Sequence, residues 1–490
     1  MTISKTVVAF ASTSLVAAAA GLLAPSLYAQ EHAQEAASPA RPAPAATPNP
    51  LPRAPQVEKL ANGLTVVTLS FDSPGIVAYD TLVQAGSRDE VEPGKSGYAH
   101  LFEHLMFRGT DAVPAEEYLR QLQTLGADDN AFTTDDLTLY LTTIPSDGLG
   151  ELIKLNADRF QHLHYTADKY KDETGAVLGE RNKVFASPSA LIEESIHALA
   201  FKSHTYGHTT IGSKHDVEDM PNQYEYSRQF FRRFYTPDDC VIFVIGDFDR
   251  EKTITAIKDA YGGWRGTRVR TAVKAEPEQK APRARQVFWQ SETDPRLAVA
   301  YRIPSMKASL PDAAALATLA AAVLGTPSDL YQRLVVNEQK VLDLEADPQS
   351  VGGKDPGALE IDARLKATTS FDEIIGAVQG ALDAAAKGQL SAEKIEAARD
   401  HLLNEAILRA QTPSQVGRAL AVFAGAVGDV QAYVRYVEAL AAVKPEDVVR
   451  VAKQLTPAHR NVITLVAGSE PAHTDGAKAK TAGKKGGGAK

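Results

Sequence analysis

Thr236-Pro237-Asp238-Asp239-Cys240-Val241-Ile242-Phe243-Val244-Ile245-Gly246 is answered about 220 residues later by Thr456-Pro457-Ala458-His459-Arg460-Asn461-Val462-Ile463-Thr464-Leu465-Val466-Ala467-Gly468. Each stretch has Thr-Pro, a short polar segment, an apolar run and a glycine. An apolar run of this length, bounded by turn signals, reads as a strand. Its recurrence points to a chain built as two similar α+β halves. At 490 residues the chain is too long for one ordinary core, which agrees with such a division.

Strand and helix signals alternate outward from these two strands. Leu64-Thr65-Val66-Val67 follows an Asn62-Gly63 turn signal, and 76–83 and 136–144 also read as strands. Residues 96–107, 146–162 and 167–184 carry helical apolar spacing. In the second half, 297–303 and 358–365 read as strands, and 312–324, 371–387 and 392–409 as helices. Charge and proline accumulate between Arg268 and Gln286, so the halves are placed at 57–270 and 286–468 with a linker over 271–285.

The ends read differently. Residues 1–29 have Lys5, then an apolar Ala-rich run broken by Pro25, which predicts a signal peptide and a periplasmic or secreted chain. An uncleaved membrane anchor is the alternative, and no later stretch reads as a membrane span. Residues 30–56, rich in Ala and Pro, read as an extended linker, and 469–490 as a solvated Lys/Gly tail. Hydrophobic residues make up 44% and charged residues 23%, values of a folding chain. The net charge of -9 argues against nucleic-acid binding, which needs clustered cations. The one cysteine, Cys240, excludes an internal disulfide and reads as a buried strand residue.

The chemistry sits in Tyr98-Ala99-His100-Leu101-Phe102-Glu103-His104-Leu105-Met106-Phe107. Residues four apart share a helix face, so His100 and His104 can aim at one metal ion, with the Glu103 carboxylate on the same side. Imidazoles suit zinc, and a catalytic zinc keeps three protein ligands and one open position. Water in that position becomes acidic, and Glu103 would take its proton as general base and return it to the leaving amine. A chance match to His-x-x-Glu-His arises roughly 0.02 times in a chain of this kind. The third ligand must come from elsewhere.

His100-Leu101-Phe102-Glu103-His104 resembles the inverted zinc motif of the inverzincin metallopeptidases, the family of pitrilysin, insulin-degrading enzyme and the mitochondrial processing peptidases. The resemblance extends through Gly94 to Thr110, Asn130-Ala131-Phe132-Thr133-Thr134-Asp135 and Phe234 to Asp247. It implies a third zinc ligand 76 residues beyond the second histidine, here Glu180, and a supporting Glu173 one heptad earlier. It implies that the segment Asn130, Ala131, Phe132 and Thr133 pairs with the substrate backbone as an added strand. It implies two halves of mainly antiparallel sheet with helices, forming half of a clamshell chamber, and hydrolysis of peptides or unfolded protein segments with Zn2+. His162, His164, His204, His208 and His215 read as structural or exposed.

The resemblance breaks in one place. Single-chain relatives carry an Arg and a Tyr in the second half that hold the substrate carbonyl. Within 328–343 the corresponding positions read Val335 and Leu342, with Tyr331 and Arg333 displaced. That implies a homo- or heterodimer in which a related subunit supplies the Arg and Tyr. Two rivals stand beside the peptidase. One is a non-catalytic binding or assembly subunit, and the other is a different metal-dependent hydrolase.

Overall fold

The computed structural model describes residues 51–470, apart from 271 and 352. The predicted signal peptide and nearly all of the predicted tail lie outside the described residues. The linker predicted over 30–56 ends sooner, because Leu51 is buried in the core and Gln56 opens the first strand. A single apolar residue in a Pro-rich stretch was enough to anchor it.

The first half carries β1 (Gln56–Lys59), β2 (Thr65–Ser70), β3 (Ile76–Val83), β4 (Asp128–Thr133), β5 (Thr138–Pro145) and β6 (Cys240–Gly246), in the order β1-β2-β6-β3-β5-β4. The second carries β7 (Arg283–Trp289), β8 (Arg296–Arg302), β9 (Val341–Val351), β10 (Ala358–Leu365) and β11 (Arg460–Ala467), in the order β7-β11-β8-β10-β9. With β1 set aside, the two orders are the same order shifted by five strands. In each sheet one pair is parallel, β2 with β6 and β7 with β11, and the rest are antiparallel. The fold is two similar α+β halves. The echoed strands β6 and β11 occupy equivalent positions, each entered by a short 3-10 turn and left through a glycine of positive φ, Gly246 (137°) and Gly468 (134°). At Gly246 a Cβ would lie 2.3 Å from the carbonyl oxygen of Ile76.

β6 is apolar throughout because both faces of its sheet are covered. Ile242 and Val244 pack with the helix Tyr98–Leu105. Val241, Phe243 and Ile245 face the other way, into a core shared with the second half. The cover on that second face is the helix Pro413–Val427, which lies across β3, β6 and β5 through Val416, Leu420 and Ala424. The first half returns the exchange. Its helix Pro188–Ala200 lies across β11, β8 and β7, burying Ile192 and Ile196 against Ala298, Ala300 and Ile463.

A polar clamp joins the halves beside the β4–β5 turn. Asp136 is buried, and its carboxylate accepts the N–H groups of Gly353 (2.7 Å) and Lys354 (2.9 Å) and the hydroxyl of Tyr206 (2.7 Å). Asp355 pairs with Arg88 at 2.6 Å and with His204 at 3.0 Å. The segment predicted as a loose linker over 271–285 is tied down too, since Glu276 accepts the backbone N–H groups of Lys202, Ser203 and His204. Among the described residues one helical run, Leu310–Asn337, is long and apolar enough to cross a membrane, but 67% of its apolar window is buried inside the fold.

Candidate metal centre

The helix Tyr98–Leu105 starts at Gly97, whose φ of 93° and close approach to the Ile211 carbonyl (2.8 Å from a Cβ there) require glycine. Its first turn is capped by Glu90, which accepts from the N–H of Gly97 and of Ala99, both at 2.7 Å. Phe102 stacks on Phe230 and Phe231, and the hydroxyl of Tyr140 donates to its carbonyl at 3.0 Å. The helix is therefore held at its start, on its apolar face and at its end. That fixes the opposite face, which presents His100, Glu103 and His104.

The helix Ala167–Val184, capped by Thr166, packs against it and brings Glu180 to the same spot. Glu180 Oε2 lies 3.6 Å from His100 Nε2 and 3.2 Å from His104 Nε2. Donor atoms bonded to one tetrahedral zinc stand about 3.4 Å apart. One ligand atom from each of His100, His104 and Glu180 falls within a 4.8 Å set. His100 Nδ1 and Glu180 Oε1 are buried without a hydrogen-bond partner. These residues fit a zinc ion.

The electrostatics agree. Burial, with help from His104, lowers the pKa of His100 to about 4, so it is neutral and free to ligate. Burial also pulls His104 down, but the Glu180 hydrogen bond and the charges of Glu103, Glu180 and Glu173 outweigh it and raise the value. Burial pushes Glu180 up, and its hydrogen bond to His104 with the charges of His100, His104 and Lys183 brings it below the ordinary value. Burial raises the pKa of Glu103, against the Thr133 hydrogen bond.

Glu173 lies behind His104. Its Oε2 is 3.8 Å from His104 Nδ1, and its Oε1 is 2.5 Å from Arg108. Arg108 was not singled out from the sequence, although it directly follows the motif. Thr133 faces inward, donating its hydroxyl to Glu103 Oε2 at 2.7 Å. Ala131 packs on the same side, while Phe132 turns to the opposite face and Asn130 is exposed. β4 is the last strand of its sheet, so its outer edge is open. Behind β4, Arg159 is fully buried among Phe107, Tyr118, Tyr140 and Phe160 and lies 3.7 Å from Asp129. Glu90 and Arg159 were not singled out in the sequence: Glu90 caps from the loop seven and nine residues before its partners, and Arg159 meets Asp129 and Tyr118 from other segments.

In the second half the helix Leu310–Leu324 stands between β8 and β9 as Tyr98–Leu105 stands between β3 and β4, and Ala392–Leu408 packs on it. Its contact face is Ala and Leu, with no histidine. Val335 and Tyr331 pack against the core there, Leu342 is 39% exposed, and Arg333 pairs with Glu338 at 3.8 Å. The five histidines read as structural or exposed have ordinary partners, His162 with Asp158, His164 with Asp111, His204 with Asp355, His208 with the Thr209 carbonyl and His215 with Asp216.

Residues 66–214 match the family described as insulinase (peptidase family M16), and residues 223–402 match the peptidase M16 inactive domain. The chain belongs to the M16 peptidase family. A zinc protease PqqE of Helicobacter pylori is 24% identical over 400 residues, covering 81% of this chain and 88% of that protein. A probable mitochondrial-processing peptidase subunit beta of Arabidopsis thaliana is 25% identical, covering 42% of this chain and 38% of its own length. Among solved structures, a protease from Helicobacter pylori superposes with a TM-score of 0.78 at 23% identity, over 84% of this M16 chain and 99% of that one. A peptidase M16 inactive domain from Pseudomonas fluorescens superposes with a TM-score of 0.74 at 15% identity, over 85% and 98%. Both share the fold of this M16 chain, and zinc proteases stand among its relatives.

Proposed function

We propose that this chain is a zinc-dependent endopeptidase of peptides and unfolded segments, with His100, His104 and Glu180 as metal ligands. The observation that carries this reading is the convergence of those three donors on one point with Glu103 beside them. Zinc, when bound, supplies Lewis acidity to the scissile carbonyl and makes water a nucleophile near neutral pH. Glu103 Oε accepts the proton of the attacking water and passes it to the leaving nitrogen. Thr133 holds the Glu103 carboxylate in place, and Arg108 holds Glu173 behind His104. The open edge of β4 takes the substrate as an added strand, with Asn130 to Thr133 pairing its backbone.

A second reading has specific support. The second half has no metal-ligand set at the equivalent helix pair, matches an inactive domain, and offers Val335 and Leu342 where an Arg and a Tyr would hold substrate. This supports a chain that bears the metal and needs a related subunit, identical or not, to complete the site. The mitochondrial relatives are named as subunits. The apolar N-terminal run supports export to the periplasm or beyond.

The test is peptide hydrolysis by wild type and Glu103→Gln, each with zinc content measured, alone and with candidate partner subunits. Wild type is expected to hold about one zinc and to cleave, while Glu103→Gln keeps zinc and loses cleavage. Cleavage only with a partner supports the divided site. Zinc without cleavage under any pairing overturns the peptidase and leaves a binding subunit.

A further inference from the structure

The exchanged helix Pro413–Val427 covers β3, β6 and β5 and stops short of the edge strand. At that margin it projects Arg418, an exposed residue whose guanidinium lies 4.6 Å from the centre of the Phe132 ring on β4. Among the described residues Arg418 forms no ion pair. The carboxylate beneath it is Asp80 of β3, whose Oδ2 would lie 2.2 Å from a Cβ at Gly417. Burial drives the pKa of Asp80 well up, against the charge of Arg418, with which it makes no ion pair. Burial and the like charge of Arg409 lower the pKa of Arg418, against the charge of Asp80. An exposed guanidinium that makes no ion pair among the described residues, held over a ring on an open strand edge, can take an anion from a peptide bound there.

Side chains of a strand alternate between faces. On β4, Thr133 and Ala131 face Glu103 and the metal ligands, and Phe132 faces Arg418. A peptide added outside β4 would alternate in the same way. Residues opposite Ala131 and Thr133 would look toward the metal, and the residue opposite Phe132 would look toward Arg418. Directly opposed side chains in a sheet have Cβ atoms about 5 Å apart, so a carboxylate at that register lies within reach of a guanidinium already over the Phe132 ring.

We infer that Arg418 is a specificity-determining residue, which selects a carboxylate in the substrate at the position opposite Phe132 on the face of the strand away from the metal. The inference rests on the peptidase reading and on strand addition at β4. It assigns to the second half a direct part in choosing substrate.

A host peptide is scanned with Glu, Gln and Lys at each position, in amidated and free C-terminal forms, against the zinc-loaded chain with any partner it needs. The expected result is a preference for Glu over Lys at one position, with kcat/KM about fivefold higher, as for a partly exposed ion pair. Arg418→Gln flattens the preference, Arg418→Glu inverts it, and Arg418→Lys keeps part of it. Preference for the free C-terminus in place of an internal Glu identifies a terminal carboxylate as the ligand. No preference in wild type, or a preference unchanged in Arg418→Gln, overturns the assignment. If no peptide is cleaved, the peptidase reading fails separately. Binding of the labelled peptides to Glu103→Gln, read by fluorescence anisotropy, then decides whether Arg418 discriminates.

Discussion

Replacing Thr133 by Val keeps the shape of the side chain and removes the hydroxyl that donates to Glu103 Oε2 at 2.7 Å. Burial holds the Glu103 pKa above its ordinary value, and the Thr133 bond pulls it back down. Loss of the donor therefore raises it further. A hydrogen bond to a charged group contributes about 1.5–3 kcal/mol, part of which water restores. At 1.36 kcal/mol per pKa unit, a shift of about one unit follows. Bound zinc favours the ionised carboxylate in both proteins, so the difference between them survives. A general base works only when ionised, so activity is lost as pH falls through its pKa, and the variant loses it at higher pH than wild type. The expected outcome is an acid limb of kcat displaced upward by about one unit, with most of the loss regained well above it. Zinc content stays the same, and Thr133→Ser restores the wild-type profile. The assay is kcat against pH on the zinc-loaded protein. Superimposable profiles for wild type and Thr133→Val would refute the claim that Thr133 tunes the base.

Three further outcomes are expected. Burial pulls His197 down, but its bond to Glu360 and the charges of Glu360, Glu193 and Asp135 raise its pKa to about 9. Its stabilisation, on the order of 3 kcal/mol, is then complete below its unfolded pKa near 6.5 and lost as pH rises through about 9. Thermal melts of wild type and His197→Gln should converge at alkaline pH, and a constant gap between them would contradict this. Gly417→Ala gains about 1 kcal/mol of helix propensity but drives a methyl into Asp80, an overpacking cost of about 1–3 kcal/mol. A lower melting temperature, rescued by adding Asp80→Ala, is expected, and a raised one would show that the helix can shift. Asp136→Ala strands the N–H groups of Gly353 and Lys354, at about 1–3 kcal/mol each. Urea unfolding should show the loss, and an unchanged midpoint would mean that the clamp carries no load.

The fold was legible where one segment answers to one rule. β6, β10 and the helix Ala167–Val184 were read at their observed bounds, because an apolar run between turn residues and a capped periodic helix are local signals. The motif residues were legible for the same reason, since His100, Glu103 and His104 share one helix face. Thr133 was read as pairing with the substrate backbone, and the donation of its hydroxyl to Glu103 was not read. That contact joins residues 30 apart across a strand and a helix, and no local pattern announces it. Arg159 and Arg418 were missed because Asp129 and Phe132 come to them from distant segments, and Glu90 because its cap crosses an irregular loop. The helices Pro188–Ala200 and Pro413–Val427 were not read at all. Their destinations lie in the opposite half, which a sequence repeat at a single pair of strands does not reveal.

The exchange of those two helices has a consequence for how the chain is made. The face of the first sheet formed by Val241, Phe243 and Ile245 is covered by residues 413–427. Until that helix has been synthesised and has arrived, the sheet presents an apolar surface of the kind that aggregates. Closing it requires contacts across about 170 residues of chain to β6 and more than 300 to β3, and pairings so distant form slowly. The shared face of the first sheet is therefore covered only after most of the chain has been made. The early chain is the species a chaperone would have to hold, and truncation anywhere before Pro413 should yield insoluble protein even with the whole metal centre encoded.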